Sequence, residues 1–197
     1  MGKAEETKQY IIEKSASLFN KKGYAGTSIS DLTEALGLTK GAIYGNFKNK
    51  DEIALEALVY NFDQISVRIS KIVRAIDNCC DKLIAFAKFY RDNFDTIAED
   101  GGCPILNGAI DSDDGNPLIR EKVLSLLNYW RTNLEQILQR GIDKKEIIKN
   151  TNIKKTAALF IMLIEGGFML SKITGDSMHL ETAVTHLTEY VDQKLRK

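Results

Sequence analysis

Residues 28–47, Ser-Ile-Ser-Asp-Leu-Thr-Glu-Ala-Leu-Gly-Leu-Thr-Lys-Gly-Ala-Ile-Tyr-Gly-Asn-Phe, form two short segments on either side of a glycine. Apolar residues recur at helical spacing in both segments. Ser28 and Thr39 are suitable N-cap residues for two helices, and Gly37 suits the end of the first. Two short helices joined by such a turn are typical of the helix-turn-helix, which places its second helix in the DNA major groove.

The start of the second segment carries residue types that suit a nucleic-acid contact. Thr39 supplies a hydroxyl and Lys40 a cation, and Gly41 allows close backbone approach. Tyr44 lies one turn further on, and two lysines, Lys48 and Lys50, flank the exit of the segment. Hydroxyls, phenols and cations are common partners of DNA phosphates. Taken alone, the pattern fits DNA binding and fits equally a helix-turn-helix that binds no DNA and whose charged side chains are simply solvated.

Helical spacing continues outward from this motif over the whole chain, and we predict an all-α protein of about nine helices. Gly23 ends the first helix in a left-handed conformation, and Asn49 can cap the fourth helix. The predicted later helices are 50 to about 75, 77 to about 99, 104–110, 117–141, 153–174 and about 177–194.

Composition is that of an ordinary globular protein. The 197 residues are 44% hydrophobic and 27% charged, with 27 basic and 27 acidic side chains. Residues 1–50 carry eight Lys and five acidic residues, a net +3, which leaves −3 for the remainder. This asymmetry predicts a basic N-terminal head on an acidic body.

Several classes of protein are disfavoured. The longest apolar stretch, 157–170, is interrupted by Glu165, which argues against a membrane span, and the charged N-terminus is not a signal peptide. Three Cys do not make a disulfide framework. These features predict a cytoplasmic protein. No Ser/His/Asp set, metal cluster or phosphate loop is recognisable, so we expect neither an enzyme nor a cofactor.

Two patterns that resemble metal sites are rejected on spacing. The acidic residues Asp111, Asp113 and Asp114 lack the glycine and glutamate that an EF-hand loop needs at its sixth and twelfth positions. His179 and His186 are seven residues apart, too far to share one metal without other ligands. We therefore predict no metal site.

The residues of the N-terminal region resemble the DNA-binding domain of the tetracycline-repressor (TetR/AcrR) family over about residues 5–60. The matching motifs are Lys22-Gly23-Tyr24, Thr27-Ser28-Ile29, Ala35-Leu36-Gly37-Leu38, Thr39-Lys40-Gly41, Tyr44, Phe47 and Lys48-Asn49-Lys50. The resemblance implies a three-helix DNA-binding domain over 1–49 and a larger ligand-binding and dimerisation domain over 50–197. It also implies a homodimer formed by the last two helices.

The resemblance assigns roles to single residues of the head. It implies that Thr27 and Ser28 contact phosphate at the start of the second helix. Thr39, Lys40 and Gly41 would face the groove, and Tyr44 and Lys48 would hold the DNA backbone. Where the family has bulky side chains, this chain has Gly45 and Asn46. Two interpretations of Asn46 are open: it reads a base, or it caps the helix.

Aromatic residues concentrate in the predicted C-terminal domain, which suits a largely apolar inducer pocket. Phe89, Trp130 and Phe160 are the pocket candidates, with plain core packing as the alternative for each. Glu165 is the only charge in its apolar run and would need a partner if buried. It would either hold a cationic or hydroxylated ligand or support a hydrogen bond in the dimer interface.

Cys103 opens a predicted helix in Gly101-Gly102-Cys103-Pro104, where the helix dipole lowers a thiol pKa. The segment resembles an electrophile-sensing branch of the family, and the alternative for Cys103 is a small packing residue.

The leading hypothesis is a DNA-binding repressor, released from a near-palindromic operator by a small-molecule inducer. One alternative is a repressor that senses oxidants or electrophiles through Cys103. An alternative of another class is an all-α small-molecule-binding protein with a vestigial DNA-binding head.

Overall fold

The computed structural model describes residues 2–113 and 115–197, and over these residues the fold is all-α, as predicted. Helix α1 spans Lys3–Gly26, α2 Ile29–Leu36, α3 Lys40–Tyr44, α4 Lys50–Arg74 and α5 Cys79–Asp92. They are followed by α6 Phe94–Glu99, α7 Pro104–Ser112, α8 Pro117–Asp143, α9 Ile153–Thr174 and α10 Met178–Tyr190. A single π-helical turn, Val191–Leu195, continues α10.

The helix ends follow the local chemistry of the sequence. Ser28, Thr39, Asn78 and Asn152 each accept a backbone N–H bond with their side chains and so cap α2, α3, α5 and α9. Gly37 and Gly175 end α2 and α9 in the left-handed conformation, at φ 63° and 69°. Such caps satisfy N–H and C=O groups that have no partner within the helix. The sequence predicted Ser28, Thr39, Gly37 and Gly175 as helix ends, and it did not identify Asn78 and Asn152 as caps.

Helices α7 and α8 each end two residues later than predicted, and two further differences have a clear local cause. Gly23 has the expected positive φ, 74°, but the chain resumes helical geometry for one more turn up to Gly26. The single helix expected over 77–99 is divided at Asn93, whose φ of −121° and ψ of 20° are not helical. The Asn93 side chain donates to Phe89 O at 2.8 Å, which terminates α5 locally, because Asn readily replaces a backbone bond with a side-chain one.

The chain forms two compact units. The first consists of residues 1–65 and 99–126 and therefore contains α1 to α3, most of α4, α7 and the start of α8. Its core includes the fully buried side chains of Ile11, Leu32, Ile43 and Ile53. The division of the chain into 1–49 and 50–197 stays a prediction.

The second compact unit consists of residues 66–98 and 127–197. Helix α10 packs against both α9 and α5, and the unit's core includes Leu83, Leu134, Phe160, Ile164 and Leu180, all at most 1% exposed. Close crossing of α9 and α10 depends on Gly167, because a Cβ there would lie 3.1 Å from the carbonyl oxygen of His179.

The C-terminal residues pair with the loop between α8 and α9 in this second unit. Ile148 N–H donates to Leu195 O at 2.9 Å, and Lys197 N–H donates to Glu146 O at 3.0 Å. The Arg196 guanidinium binds Asp81 at 2.6 Å and Asp192 at 2.9 Å. Nothing in the helical periodicity indicated this pairing.

Candidate functional site

Helices α2 and α3 and the segment that follows them, residues 28–48, form the candidate DNA-binding surface, which we call the reading head. Ser28 and Asp31 make a reciprocal capping box at the start of α2, with Asp31 N–H donating to Ser28 Oγ at 3.1 Å and Ser28 N–H donating to Asp31 Oδ2 at 2.7 Å. Thr39 Oγ1 accepts from Ala42 N–H at 3.2 Å and so starts α3. Both helices thus have a defined start.

One side of α3 and of the residues after it is buried in the core, and the other side is exposed to solvent. Ile43 and Phe47 are buried at 0% and 2% exposure. Thr39, Lys40 and Gly41 are exposed, and Tyr44 is half-buried one turn later. The Lys40 ammonium lies 5.9 Å from the centre of the Tyr44 ring, within cation–π range. The structure therefore brings these four predicted site residues together on one surface.

Beyond α3, Lys48 is exposed and adjoins the same surface. Asn46 is half-buried, and its Nδ2 donates to Ala42 O at 2.9 Å. This bond satisfies a carbonyl at the end of α3, so the structure favours the capping interpretation of Asn46 over base reading.

Thr27 requires a correction to the predicted set of phosphate contacts. Its side chain is fully buried, and its hydroxyl donates to Gly23 O at 2.7 Å. A hydroxyl with no solvent exposure and an internal acceptor cannot reach phosphate, so Thr27 joins α1 to α2 structurally. Ser28 is exposed, but its hydroxyl is engaged with Asp31 at 2.6 Å.

Lys50 also differs from the prediction, which grouped it with Lys48 as a phosphate contact. Its ammonium donates to Tyr24 O at 2.8 Å and Thr27 O at 2.9 Å, and lies 4.0 Å from the centre of the Tyr24 ring. Lys50 therefore supplies hydrogen bonds to the carbonyl groups at the end of α1. Sequence spacing did not show this role, because Tyr24 lies 26 residues away.

Lys22 and Asp31 form an exposed ion pair, with Nζ and Oδ1 2.7 Å apart. Hydrogen bonding to Lys22, and then to Ser28, holds the pKa of the Asp31 carboxyl well below its usual range. Asp31 therefore stays ionised down to acidic pH, and its negative charge at the start of α2 is favourable to the helix dipole.

An aromatic cluster lies in the second compact unit and consists of Phe86, Phe89, Tyr90 and Trp130. The Tyr90 and Trp130 rings are stacked with centres 5.8 Å apart, and Phe86 lies 6.0 Å from Trp130. Phe89 meets Tyr90 edge to face at 5.6 Å. Two of the predicted pocket residues, Phe89 and Trp130, therefore belong to one cluster.

Polar groups accompany this cluster. Trp130 is 5% exposed, and its buried Nε1–H has no hydrogen-bond partner in the part of the chain that the structure describes. The Arg68 guanidinium lies 5.4 Å from the Phe89 ring centre and donates to Asn93 Oδ1. Arg68 was missed in the sequence, where a lone arginine in a long amphipathic helix carries no signal.

The other two candidates for the inducer pocket lie on α9. Phe160 is fully buried, which fits core packing as well as a pocket. Glu165 is half-buried and has a carboxylate oxygen that is shielded from solvent.

Cys103 is the N-cap residue of α7 and is 7% exposed. The two glycines before it, Gly101 and Gly102, have φ values of 105° and 100° and separate α7 from α6. Cys79 and Cys80 are buried in α5. Burial, and then a hydrogen bond to Glu146, raises the pKa of the Cys79 thiol to about 11, so this thiol is protonated and unreactive at neutral pH.

Within the described ranges 2–113 and 115–197, no group of three or more His, Cys, Asp or Glu residues is placed to hold a metal ion. Asp114, one of the acidic residues considered in the sequence, lies outside those ranges.

Helix α9 presents an apolar face outward. Met162, Met169, Leu170 and Ile173 are 62%, 43%, 42% and 80% exposed. By length and composition α9 could cross a membrane, with a mean hydropathy of 1.6, contrary to the expectation that no segment is so apolar. However, 39% of the most apolar stretch of α9 is buried within the fold, and the core helices of soluble proteins can be equally long and apolar.

Comparisons with known proteins cover both parts of the chain. A family model described as "Bacterial regulatory proteins, tetR family" matches residues 11–57, which include the reading head. A second, "Tetracyclin repressor-like, C-terminal domain", matches residues 79–187, more than half of the chain. The chain belongs to the TetR family. TetR regulators bind operator DNA and dimerise through the C-terminal domain, which also binds small ligands.

Solved structures of other TetR-family proteins agree over the full length. A TetR transcriptional regulator from Chloroflexus aurantiacus J-10-FL is 39% identical, with 100% of this chain and 99% of that chain covered and a TM-score of 0.94. A TetR-family regulator from Cytophaga hutchinsonii is 35% identical, with 100% and 98% covered and the same TM-score of 0.94.

A curated relative is named as a repressor. The HTH-type transcriptional repressor DhaR of Mycobacterium sp. strain GP1 is 23% identical over 185 residues, 92% of this chain and 90% of DhaR. Together with the two family matches, this makes the chain a DNA-binding transcriptional regulator of the TetR family.

Proposed function

We propose that this TetR-family protein is a cytoplasmic, ligand-responsive repressor that binds a near-palindromic operator as a homodimer. The observation that carries the proposal is the outward surface of α3. Its start, Thr39 to Gly41, is exposed, while Ile43 and Phe47 hold the other side of the segment in the core. A recognition helix needs this combination of a free reading side and a rigid support.

Each residue of that surface has a role in the proposal. Thr39, Lys40 and Gly41 face the major groove, and Tyr44 and Lys48 contact the DNA backbone. Ser28 stays in the proposed set through its exposed position at the start of α2. The contacts to phosphate fix the register of the protein, and contacts to base edges give the sequence preference.

A homodimer through α9 and α10 is supported by the outward apolar face of α9. Four large apolar side chains of one helix, Met162, Met169, Leu170 and Ile173, are exposed in a single chain. Such a face is expected to be covered by a partner. A twofold dimer would present two reading heads to two half-sites of a palindrome.

The proposed inducer is a largely apolar small molecule that binds beside the aromatic cluster. The cluster offers ring surface, and the Trp130 N–H offers an unused donor to a ligand that carries a hydrogen-bond acceptor. Phe160 and Glu165 remain candidates for its lining. Binding would release DNA by favouring a conformation in which the two heads no longer match successive major grooves.

The test is fluorescence anisotropy of the full-length protein with duplex DNA from its own upstream region and with a scrambled duplex, at two salt concentrations. Tight binding to the upstream duplex alone, weakening steeply with salt because counterions are released, supports the proposal. Equal, weak binding to every duplex of a genome-wide pull-down would instead support the small-molecule-binding alternative with a vestigial head.

Tyr44→Ala should weaken operator binding about tenfold, since it removes a phenol and frees the Lys40 ammonium from its ring. Tyr44→Phe keeps the ring and should lose less. Anisotropy measures both variants, and an operator affinity of Tyr44→Ala equal to wild type would refute the contact.

Inducers can be found with an internal reporter, because Trp130 is the one tryptophan of the chain. A compound that binds beside the cluster should change the Trp130 emission and also lower operator affinity. Compounds that change neither are not inducers.

The redox alternative concerns Cys103 at the start of α7. Its place at the N-cap supports it, and its 7% exposure weighs against an accessible thiol. If Cys103 is the sensor, a thiol-modifying reagent abolishes operator binding of the wild type and not of Cys103→Ser. Equal sensitivity of the two proteins eliminates this alternative.

A further inference from the structure

The C-terminal end of α7 holds a break in α1, within the first compact unit. At Gly23 the backbone leaves helical geometry, with φ 74° and ψ 171°. The next residue, Tyr24, has a backbone N–H that bonds outside its own helix. The Asp111 carboxylate accepts this N–H, across 87 residues of sequence. A carboxylate is a strong acceptor for a backbone amide.

The absence of a side chain at Gly23 makes room for this carboxylate. A Cβ at position 23 would lie 2.9 Å from Asp111 Oδ1 and 3.2 Å from its Cγ. The positive φ disfavours any other residue as well. The sequence predicted a helix end at Gly23, and the structure shows in addition that this glycine gives Asp111 access to the backbone.

The contact leads directly into the reading head. The amide of Tyr24 binds Asp111. Its carbonyl oxygen accepts a hydrogen bond from the Lys50 ammonium, which also lies over the Tyr24 ring. The same ammonium donates to Thr27 O, and the Thr27 hydroxyl donates to Gly23 O. Ser28, the N-cap of α2, follows immediately. The segment that sets the start of α2 is thus fixed by one carboxylate and one ammonium.

Asn116, the residue before α8, binds the start of α4, the helix that also carries Lys50. Its Nδ2 donates to Asp51 Oδ1 at 2.8 Å, while its Oδ1 accepts the amides of Leu118 and Ile119 at 3.1 Å each. Burial, and next a hydrogen bond to Asp51, raises the pKa of the Tyr24 phenol. Tyr24 is therefore held at its amide, its carbonyl and its ring.

We propose that Asp111 is a positioning residue for operator recognition, because its carboxylate fixes the Gly23–Ser28 segment from which the reading head starts. The inference deepens the proposed function and rests on it. Asp111 touches no DNA in this proposal. It acts through the Tyr24 amide, so its loss changes the placement of the head and leaves the phosphate-contacting side chains intact.

A DNA-free experiment tests the structural step. Amide hydrogen exchange of the full-length protein is compared among wild type, Asp111→Ala, Asp111→Asn and Asp113→Ala. Asp113→Ala is the matched control, since it removes the same charge from an exposed position two residues away. We expect at least tenfold faster exchange over residues 24–36 in Asp111→Ala, and wild-type exchange in Asp113→Ala. Asp111→Asn keeps an acceptor oxygen and should retain most of the protection.

Anisotropy with the upstream and scrambled duplexes tests the functional step. Asp111→Ala should lose about tenfold or more in affinity for the upstream duplex, with unchanged affinity for the scrambled duplex and an unchanged salt slope. Asp111→Asn should recover most of that loss.

Three results would overturn the inference: wild-type exchange over residues 24–36 in Asp111→Ala, an equal loss in Asp111→Asn, or a uniform rise in exchange that includes α9 and α10. The last would show a merely global destabilisation. If the wild type itself fails to discriminate the two duplexes, the proposed function fails, and the exchange experiment still decides the role of Asp111.

Discussion

At the scale of single residues, Lys48 and Lys50 show how little residue type alone says about a role. Both are lysines at the exit of the reading head, and both were expected at phosphates. The structure exposes Lys48 and binds the Lys50 ammonium to two carbonyls and a ring. The difference arises from where the ends of α1 and α4 meet, which depends on tertiary packing.

This difference gives opposite expectations for two matched variants. Lys48→Gln should lower the slope of log affinity against log salt by about one, because one phosphate contact is lost, and should leave stability unchanged. Lys50→Gln should reduce the free energy of unfolding by about 1–2 kcal/mol, because two charge-assisted hydrogen bonds are lost. Urea unfolding and salt-dependent anisotropy separate the two effects. The assignments fail if Lys50→Gln changes only the salt slope.

Thr27 and Asp111 mark the limit of residue-level prediction. The family motif identified Thr27, but only the fold shows that its hydroxyl is buried and bound to Gly23 O. Asp111 stood out as part of an acidic cluster that fits no metal motif, and its partner lies 87 residues away. Local patterns carry no information about partners at that separation.

At the scale of elements, the helix ends were largely predictable because their causes are local. A cap needs one side chain and a backbone amide two or three residues away, as at Ser28, Thr39 and Asn49. The division at Asn93 was missed, since neither Gly nor Pro marks it. The pairing of Ile147 with Arg196 was missed because it joins distant segments.

The turn between α2 and α3 offers a test at this scale. Gly37 has φ 63°, and open space surrounds the position of a Cβ. Gly37→Ala should therefore cost about 1 kcal/mol of stability through backbone conformation alone. Gly37→Asn should cost clearly less, because Asn tolerates the left-handed region. Thermal unfolding measures both variants, and equal losses would show that the cost is not conformational.

At the scale of the whole molecule, the dimer proposal depends on α9. Met162→Glu places a charge on the outward apolar face, where the side chain is 62% exposed in the single chain. It should convert a dimer into a monomer of 22.1 kDa while leaving helix content unchanged, because burying an unpaired charge is costly. Val67→Glu, at 67% exposure on α4, is the control and should stay dimeric.

Light scattering after size exclusion gives the mass of each protein. A dimeric Met162→Glu, or a monomeric wild type at micromolar concentration, would contradict the assignment of the interface to α9. Sequence alone supplied the apolar character of this helix, and its outward face could be identified only once the burial of its other side was known.

The hydrogen bonds from Asp111 and Asn116 to the N-terminal region also bear on protein engineering. A hybrid regulator that joins residues 1–49 to the sensing part of another protein would leave Asp111 behind. It would also lack the Asn116–Asp51 pair and the rest of residues 99–126 that pack in the same compact unit. A graft cut at a single point in the sequence would thus divide the first compact unit. A transplantable head would have to be assembled from two stretches of sequence, 1–65 and 99–126.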